Sequence, residues 1–370
     1  MQHQAHALRS AGLKVGIISA GLIPWNRLLS KFPYKKHEVD REVTVYRYFV
    51  KKIIPGRYLV RFGFGRLIAE HEKLFLKYVR HNGVPDLIHA HNSLYAGVVA
   101  RHLKSKFKIP FVVTEHGSEY GRNLLNKSQH KDSRQVLVDA DCRVVVSNAQ
   151  KTWVHNLLGL EENIFHVIPN LVEPSFELQR NLARPSRSKH DEFVFLSIGC
   201  LDKNKNHSGM LDSFSSSFRD ISNVKLRVVG DGRLKSNLVS KAERLGISKQ
   251  VSFLGELGRI DVRRELINCC ALVHSSRFET FGVVLIEALA FGKPVISTSC
   301  GGPQDIIVNK KNGLLVPVDN NEQLSLAMNE MVSTYDKYNP ETIRNDCNRR
   351  FGSKVIVREL IDCYQKVLSA

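Results

Sequence analysis

The chain has 370 residues, 43% of them hydrophobic and 24% charged, a length that fits two domains and a composition outside the disordered and fibrous classes. No apolar run approaches the roughly 18 residues that cross a bilayer. The seven cysteines are odd in number, scattered and without a C-x-x-C, which favours free thiols in a reducing cytosol over a disulfide framework or zinc site.

The net charge of +18 is concentrated at the start, where residues 1–80 hold 16 Lys/Arg against 5 Asp/Glu. In this region VGIISAGLIP, after Lys14, reads as a strand and turn, with no small-residue cleavage site and so no secretion signal. Then YRYFVKKIIPGRYLVRFGFGRLI (46–68) interleaves aromatic and aliphatic residues with Lys51, Lys52, Arg57, Arg61 and Arg66. That mixture suits an anionic surface, and the expected partner is phospholipid at the inner face of a membrane. No recognised nucleic-acid module occurs, so nucleic acid is not an expected partner.

Four further β-rich runs, DLIHAH, PFVVTEHG, CRVVVS and HVIPN, follow with helical stretches such as SLYAGVVARHLKSKF between them. Alternation of this kind predicts an α/β architecture with parallel sheets. Asp139 and Asp141 form a D-x-D directly before a strand, where turn or helix-end duty is the expected role. His89 and His91 are read as structural, at a strand end. A polar stretch with Pro174 and Pro185 then reads as a joint.

Past the joint the pattern restarts with FVFLSIG, KLRVVGDG, VSFLGE, ALVHSS, PVISTS and GLLVPV as strands. The loop RFETFG (277–282) leads into the helix VVLIEALAF, closed by Gly292 and Pro294. It delivers the amides of Phe281, Gly282, Val283 and Val284 at a helix N-terminus, an anion site most simply filled by phosphate. Glu279 lies just outside that helix and Glu287 a little over one turn inside it. Carboxylates beside a phosphate site suit paired sugar hydroxyls, so the arrangement points to a nucleotide sugar. In SIGCLDKNKNHSG (197–209) a glycine turn at Gly199 precedes Lys203 and Lys205, which can hold a diphosphate. VVGDG (228–232) and CGGPQDII (300–307) place further glycines and Asp305 at strand ends.

These residues resemble the retaining GT-B glycosyltransferases of family four. The marks are Glu279 and Glu287 as an E-x7-E pair, the E-x-F-G loop, the GDG turn, the G-x-L-x(3)-K segment from Gly199, and the G-G-x-x-[ED] turn at Gly301, Gly302 and Asp305. They run through most of 193–318. Weaker collinear marks in the first half are PDLIHAHNSLYAG, TEHGSEY, VSNAQ and VIPNLVE. The resemblance implies two doubly wound Rossmann-like domains facing across a cleft: an acceptor-side domain at 1–173, a linker at 174–192 and a nucleotide-sugar domain at 193–350. A C-terminal helix at 351–370 is expected to cross back to the first domain.

It further implies that Lys205 holds the donor diphosphate and Glu287 the ribose hydroxyls. Glu279, with the Phe281–Val283 amides, would meet the transferred sugar and its phosphate, and His116 would face that sugar from the first domain. The turn at Glu256 and Leu257 would receive the base. The expected reaction moves a hexose from a nucleoside diphosphate sugar, UDP ahead of GDP, to a glycan or lipid-linked hydroxyl with retention and without a metal or cofactor. Surface polysaccharide assembly on the cytoplasmic membrane face is the expected setting. A catalytically impaired binding module and a sugar-nucleotide 2-epimerase are the alternative readings.

Two positions depart from the family pattern. Cys200 stands where arginine is usual, so either Lys203 compensates or donor affinity is lower, and Asp305 stands where glutamate is commoner. The family's opening strand and glycine-rich loop have no counterpart, so the first sheet is expected to lack a central strand, with a truncated or late-called start as the reason.

Overall fold

The structure, a computed structural model, describes residues 2–23, 35–40, 42–51, 59–177 and 191–370; the side chains of 21–23, 35–37, 49–51, 59–64 and 66 are also outside the description. The basic residues Lys51, Lys52, Arg57, Arg61 and Arg66 therefore lie outside the described side chains. The chain forms two compact units. One comprises Met1–Val146, Lys151–Ile168 and Ile356–Ala370, the other Ser147–Gln150 and Pro169–Val355.

The first unit is built from α1 (Gln2–Ser10), β1 (Gly16–Ile23), β2 (Lys35–Asp40), β3 (Val43–Lys51), α2 (Leu59–Asn82), β4 (Ile88–His91), α3 (Val98–Phe107), β5 (Phe111–Glu115), α4 (Lys127–Asp139), β6 (Cys142–Val145), most of α5 (Asn148–Leu158) and β7 (Phe165–Val167). Its strands fall into two sheets, β1-β3-β2 and the parallel β4-β5-β6-β7. β5, FVVTE, is buried at every residue, as expected of a parallel strand covered by helices on both faces. Phe111, Val113, Val136, Leu137, Val145 and Val154 form the core around it.

Asp139 and Asp141 take the turn duty read from their position. Asp139 meets Arg101, while Asp141 accepts from Phe111 N at 2.8 Å and from Lys104 Nζ at 2.6 Å. The expectation that every cysteine is a free thiol is corrected here: Cys142 in β6 is bonded to Cys363, and the other five are free. The pair is separated by 221 residues, so linear spacing gives no sign of it.

The second unit carries α6 (Pro174–Glu177), β8 (Phe193–Ile198), α7 (His207–Phe218), β9 (Val224–Val229), α8 (Lys235–Arg244), β10 (Val251–Gly255), α9 (Arg259–Asn268), β11 (Ala271–His274), α10 (Val283–Ala290), β12 (Val295–Thr298), α11 (Pro303–Ile306), β13 (Gly313–Val316), α12 (Asn321–Thr334) and α13 (Pro340–Phe351). The last helix, α14 (Ser353–Leu368), joins the first unit from Ile356 onward. Its apolar positions Ile356, Val357, Leu360, Cys363 and Tyr364 recur on one face and are buried. α6 lies inside the stretch read as a linker; its buried Phe176 packs on Phe291 with ring centroids 5.2 Å apart.

The second sheet is wholly parallel, in the order β10-β9-β8-β11-β12-β13. The chain winds outward from β8 in one direction, then returns to β11 and winds in the other. A doubly wound sheet of this order opens a crevice at the carboxyl ends of the two central strands, where the direction switches. Here those ends are Ile198 of β8 and His274 of β11.

Candidate functional site

The loops leaving β8 and β11 meet at that switch point. The first, 199–206, is shaped by Asp202, whose carboxylate accepts from the amides of Asn204 at 2.9 Å and Lys205 at 3.1 Å. The second loop is tied to it: Arg277 N donates to Asn204 O at 2.7 Å, Asn204 Nδ2 to Phe278 O at 3.0 Å, and Ser275 Oγ to Lys205 O at 2.8 Å. Lys205 folds back over Gly199, where an added Cβ would lie 3.4 Å from its Cδ.

The tie brings Lys205 Nζ to 2.6 Å from Glu279 Oε2. His274 Nε2 lies 3.3 Å from the same oxygen and 3.0 Å from Ser276 Oγ, and its Nδ1 is 3.0 Å from Ser297 Oγ. Burial opposes a charge on Glu279, but the His274 hydrogen bond and the Lys205 ammonium outweigh it and hold the carboxyl down at about 2. Burial keeps the His274 imidazole below its ordinary value. The buried His207, beside Lys205 and His274, is likewise pushed down to about 4, chiefly by burial.

Glu279 also fixes the third loop. Its amide donates to Cys300 O at 3.0 Å, and Gly302 N donates to its carbonyl at 2.9 Å. Gly302 allows this approach, since a Cβ there would stand 2.3 Å from Phe281 Cα. Gly282 is the N-cap of α10 at φ 102°, a left-handed conformation that glycine adopts without steric cost. An α-helix leaves its first amides without intrahelical partners. Phe281 and Gly282 are buried, whereas Val283 is 42% exposed, so the tip of α10 reaches solvent. Glu279 thus links Lys205 to the loop that leads into α10, whose first amides are groups of the kind that can hold an anion.

Glu287 sits in the interior of α10, buried among Leu285, Ile286, Ala288 and Leu289. Burial raises its pKa, and Arg259 Nη2, 2.8 Å from Oε1, opposes the rise. Arg259 also donates from Nε to Glu173 Oε2 at 3.0 Å, with its guanidinium 4.7 Å from the Phe176 ring centroid. Sequence reasoning missed Arg259, His274 and Ser276. A signal for Arg259 exists only in its place just beyond the turn at Glu256 and Leu257, and for His274 in its place at a strand end.

The remaining predicted residues are more dispersed. Lys203 and Glu256 are exposed and Leu257 is half-buried. Gly301 pairs with Glu279 in a parallel bridge. The Asp305 carboxylate accepts from Asn148 N at 2.6 Å and from Asn148 Nδ2 at 3.3 Å, while Ser147 Oγ donates to Thr280 O at 2.7 Å. The segment VSNAQ thereby supports the loop that carries Phe281. His116 lies in the first unit, just past β5, with its Nε2 2.9 Å from His91 Nδ1. Among the described residues no His/Cys/Asp/Glu group of three is arranged to hold a metal ion.

Residues 1–176 match the model of Glycosyltransferase Family 4, and residues 179–345 that of Glycosyl transferases group 1. An uncharacterized glycosyltransferase of Methanocaldococcus jannaschii is 25% identical over 76% of this chain and 75% of its own. The putative teichuronic acid biosynthesis glycosyltransferase TuaC of Bacillus subtilis is 25% identical over 90% and 83%. Two solved structures share the fold. Sucrose-phosphate synthase from Thermosynechococcus elongatus has a TM-score of 0.78 at 20% identity, over 100% of this chain and 92% of its own. Anabaena HepE in complex with UDP has a TM-score of 0.72 at 18% identity, over 95% and 100%.

Proposed function

The chain belongs to the GT-B glycosyltransferases of family four, and from that premise we propose that it transfers a hexose from a UDP-sugar to an acceptor hydroxyl with retained configuration. The observation that carries the reading is the corner at α10: Lys205 Nζ 2.6 Å from Glu279 Oε2, beside the amides that follow Gly282. HepE is seen with UDP and with UDP-glucose, which supports a uridine donor.

In this reading the α10 amides and Lys205 take the charge that grows on the departing diphosphate. Glu279, ionised throughout the working pH range, accepts hydrogen bonds from hydroxyls of the transferred sugar. Glu287 grips the ribose, with Arg259 balancing its charge. Lys203 adds a mobile charge near the diphosphate, Glu256 and Leu257 receive the base, and Gly301, Gly302 and Asp305 shape the sugar end. His116 is assigned to the transferred sugar. The leaving phosphate oxygen takes the acceptor proton as the new glycosidic bond forms and the anomeric C–O bond breaks.

The acceptor is proposed to be a glycan or lipid-linked sugar at an anionic membrane surface, in surface polysaccharide assembly. Exposed Lys77, Arg80 and His81 on α2, with Leu76 37% exposed among them, support that setting. Among the described residues no helix is long and apolar enough to cross a membrane.

The test is turnover of UDP-glucose, scored as UDP release with and without a glycan acceptor, in wild type and in the Lys205→Ala and Glu287→Ala variants. Loss of roughly 10²-fold or more in each supports the assignment. Wild-type rates in both variants would remove it, and UDP binding without release or transfer would favour the binding-module reading.

A further inference from the structure

Three imidazoles stand in a row at the carboxyl ends of β4 and β5. The His89 and His91 rings stack with centroids 4.5 Å apart, and those of His91 and His116 at 5.2 Å, each pair inclined by 21°. His89 is anchored at both nitrogens, with Nδ1 2.6 Å from the Tyr364 hydroxyl and Nε2 2.7 Å from Thr114 Oγ1. His116 is anchored through its backbone, whose amide donates to Asn92 Oδ1 at 3.0 Å and Glu115 Oε1 at 2.9 Å. Glu115 is itself buried and also accepts from Ser93 N, Ser93 Oγ, Gly117 N and Tyr120 OH. The central ring, His91, is therefore held between two fixed neighbours, and its Nδ1 meets His116 Nε2 at 2.9 Å.

That contact joins two nitrogens and can hold one proton. Burial lowers the basicity of all three rings, His89 to about 3 and His116 to about 4, with His91 well below its ordinary value, so each is neutral near pH 7. A neutral imidazole has one N–H and one bare nitrogen. Only two arrangements then satisfy the pair. If His91 donates from Nδ1, His116 accepts at Nε2 and carries its own proton on Nδ1. If His116 donates from Nε2, its Nδ1 is bare and His91 carries its proton on Nε2. The two rings must share a tautomer, both Nδ1–H or both Nε2–H, and that choice decides whether His116 offers a donor or an acceptor at its other nitrogen.

We propose that His91 is a positioning residue for His116, fixing both its ring plane and its tautomer through the shared proton so that Nδ1 presents one defined hydrogen-bonding character to the transferred sugar. The proposal rests on the assignment of His116 to that sugar. It gives a role to a residue that strand-end position alone marks as structural.

The decisive experiment combines histidine side-chain ¹⁵N NMR of the wild-type chain with UDP-glucose turnover in variants at position 91. Matching tautomers at His91 and His116 near pH 7 are expected, and a change at His116 alone in His91→Phe, which keeps a stacked ring without the nitrogen. Turnover should fall about tenfold or more in His91→Phe through kcat, with the KM for UDP-glucose little changed. His91→Asn, whose amide reaches the Nδ1 position, should recover most of it, whereas His91→Gln, which reaches the Nε2 position, should not. Opposite tautomers, or wild-type kcat in His91→Phe while His116→Ala is impaired, overturn the proposal. Wild-type kcat in His116→Ala instead removes the assignment on which it rests, even where the NMR shows matched tautomers.

Discussion

Replacing Arg259 by methionine keeps an apolar stem near the Phe176 ring and takes the guanidinium from Glu173 and Glu287, whose side chains are only 12% and 8% exposed. Breaking a buried ion pair costs roughly 3–5 kcal/mol; Arg259 is 48% exposed, and solvent screening brings the expected loss to about 2 kcal/mol. For a unit of this size that lowers Tm by roughly 4–8 °C. The pH dependence has a definite sign. Burial already raises Glu287 above the ordinary glutamate value of 4.5, and losing Arg259 raises it further. A carboxyl raised on folding contributes stability that is fully present below its unfolded pKa and is lost as pH rises through the folded one. The gap between wild type and Arg259→Met should therefore be smaller near pH 5 than near pH 8. Thermal unfolding of both proteins at the two pH values measures it, and Glu287→Gln added to Arg259→Met should restore most of the loss at the higher pH. An equal gap at both values would refute the reasoning.

Two other outcomes follow from the corner at α10. Gly302→Ala places a Cβ 2.3 Å from the Phe281 backbone, which cannot yield as a flexible side chain would, so UDP-glucose turnover should fall at least about tenfold with a lowered Tm; wild-type turnover would show that the 279–282 loop tolerates displacement. Glu279, held down at about 2, contributes stability that is present above the ordinary 4.5 and lost as pH falls toward 2; side-chain ¹³C NMR should find it still ionised near about pH 3.5, and a midpoint at or above 4.5 would contradict the Lys205 and His274 contacts.

What the sequence made legible is the part governed by local rules. Strands such as FVFLSI announce themselves as continuous apolar runs. The E-x-F-G loop announces a helix start because a left-handed Gly282 and an apolar helix follow one another. The partners that tune the site come from elsewhere in the chain and leave no periodic trace. Arg259 reaches Glu287 from the next helix back, and His274 reaches Glu279 only because β11 ends in a turn that folds onto the β8 loop. Glu287 illustrates the limit most clearly. Its spacing from Glu279 marks it as special, but only packing shows a carboxylate buried in an otherwise apolar helix and balanced by a half-exposed arginine. The Cys142–Cys363 bond and the α6 helix within the proposed linker were likewise set by tertiary packing, which composition does not record.

The central claim is that main-chain amides at the start of α10, together with Lys205, hold a diphosphate. Calorimetric titration of the whole chain with UDP and with uridine, in wild type and in Lys205→Ala, tests it most directly. The account expects UDP to bind wild type at least about 100-fold more tightly than uridine, and Lys205→Ala to remove roughly tenfold or more of that advantage while leaving uridine affinity unchanged. Equal affinities for UDP and uridine, or a UDP affinity indifferent to Lys205, would contradict it.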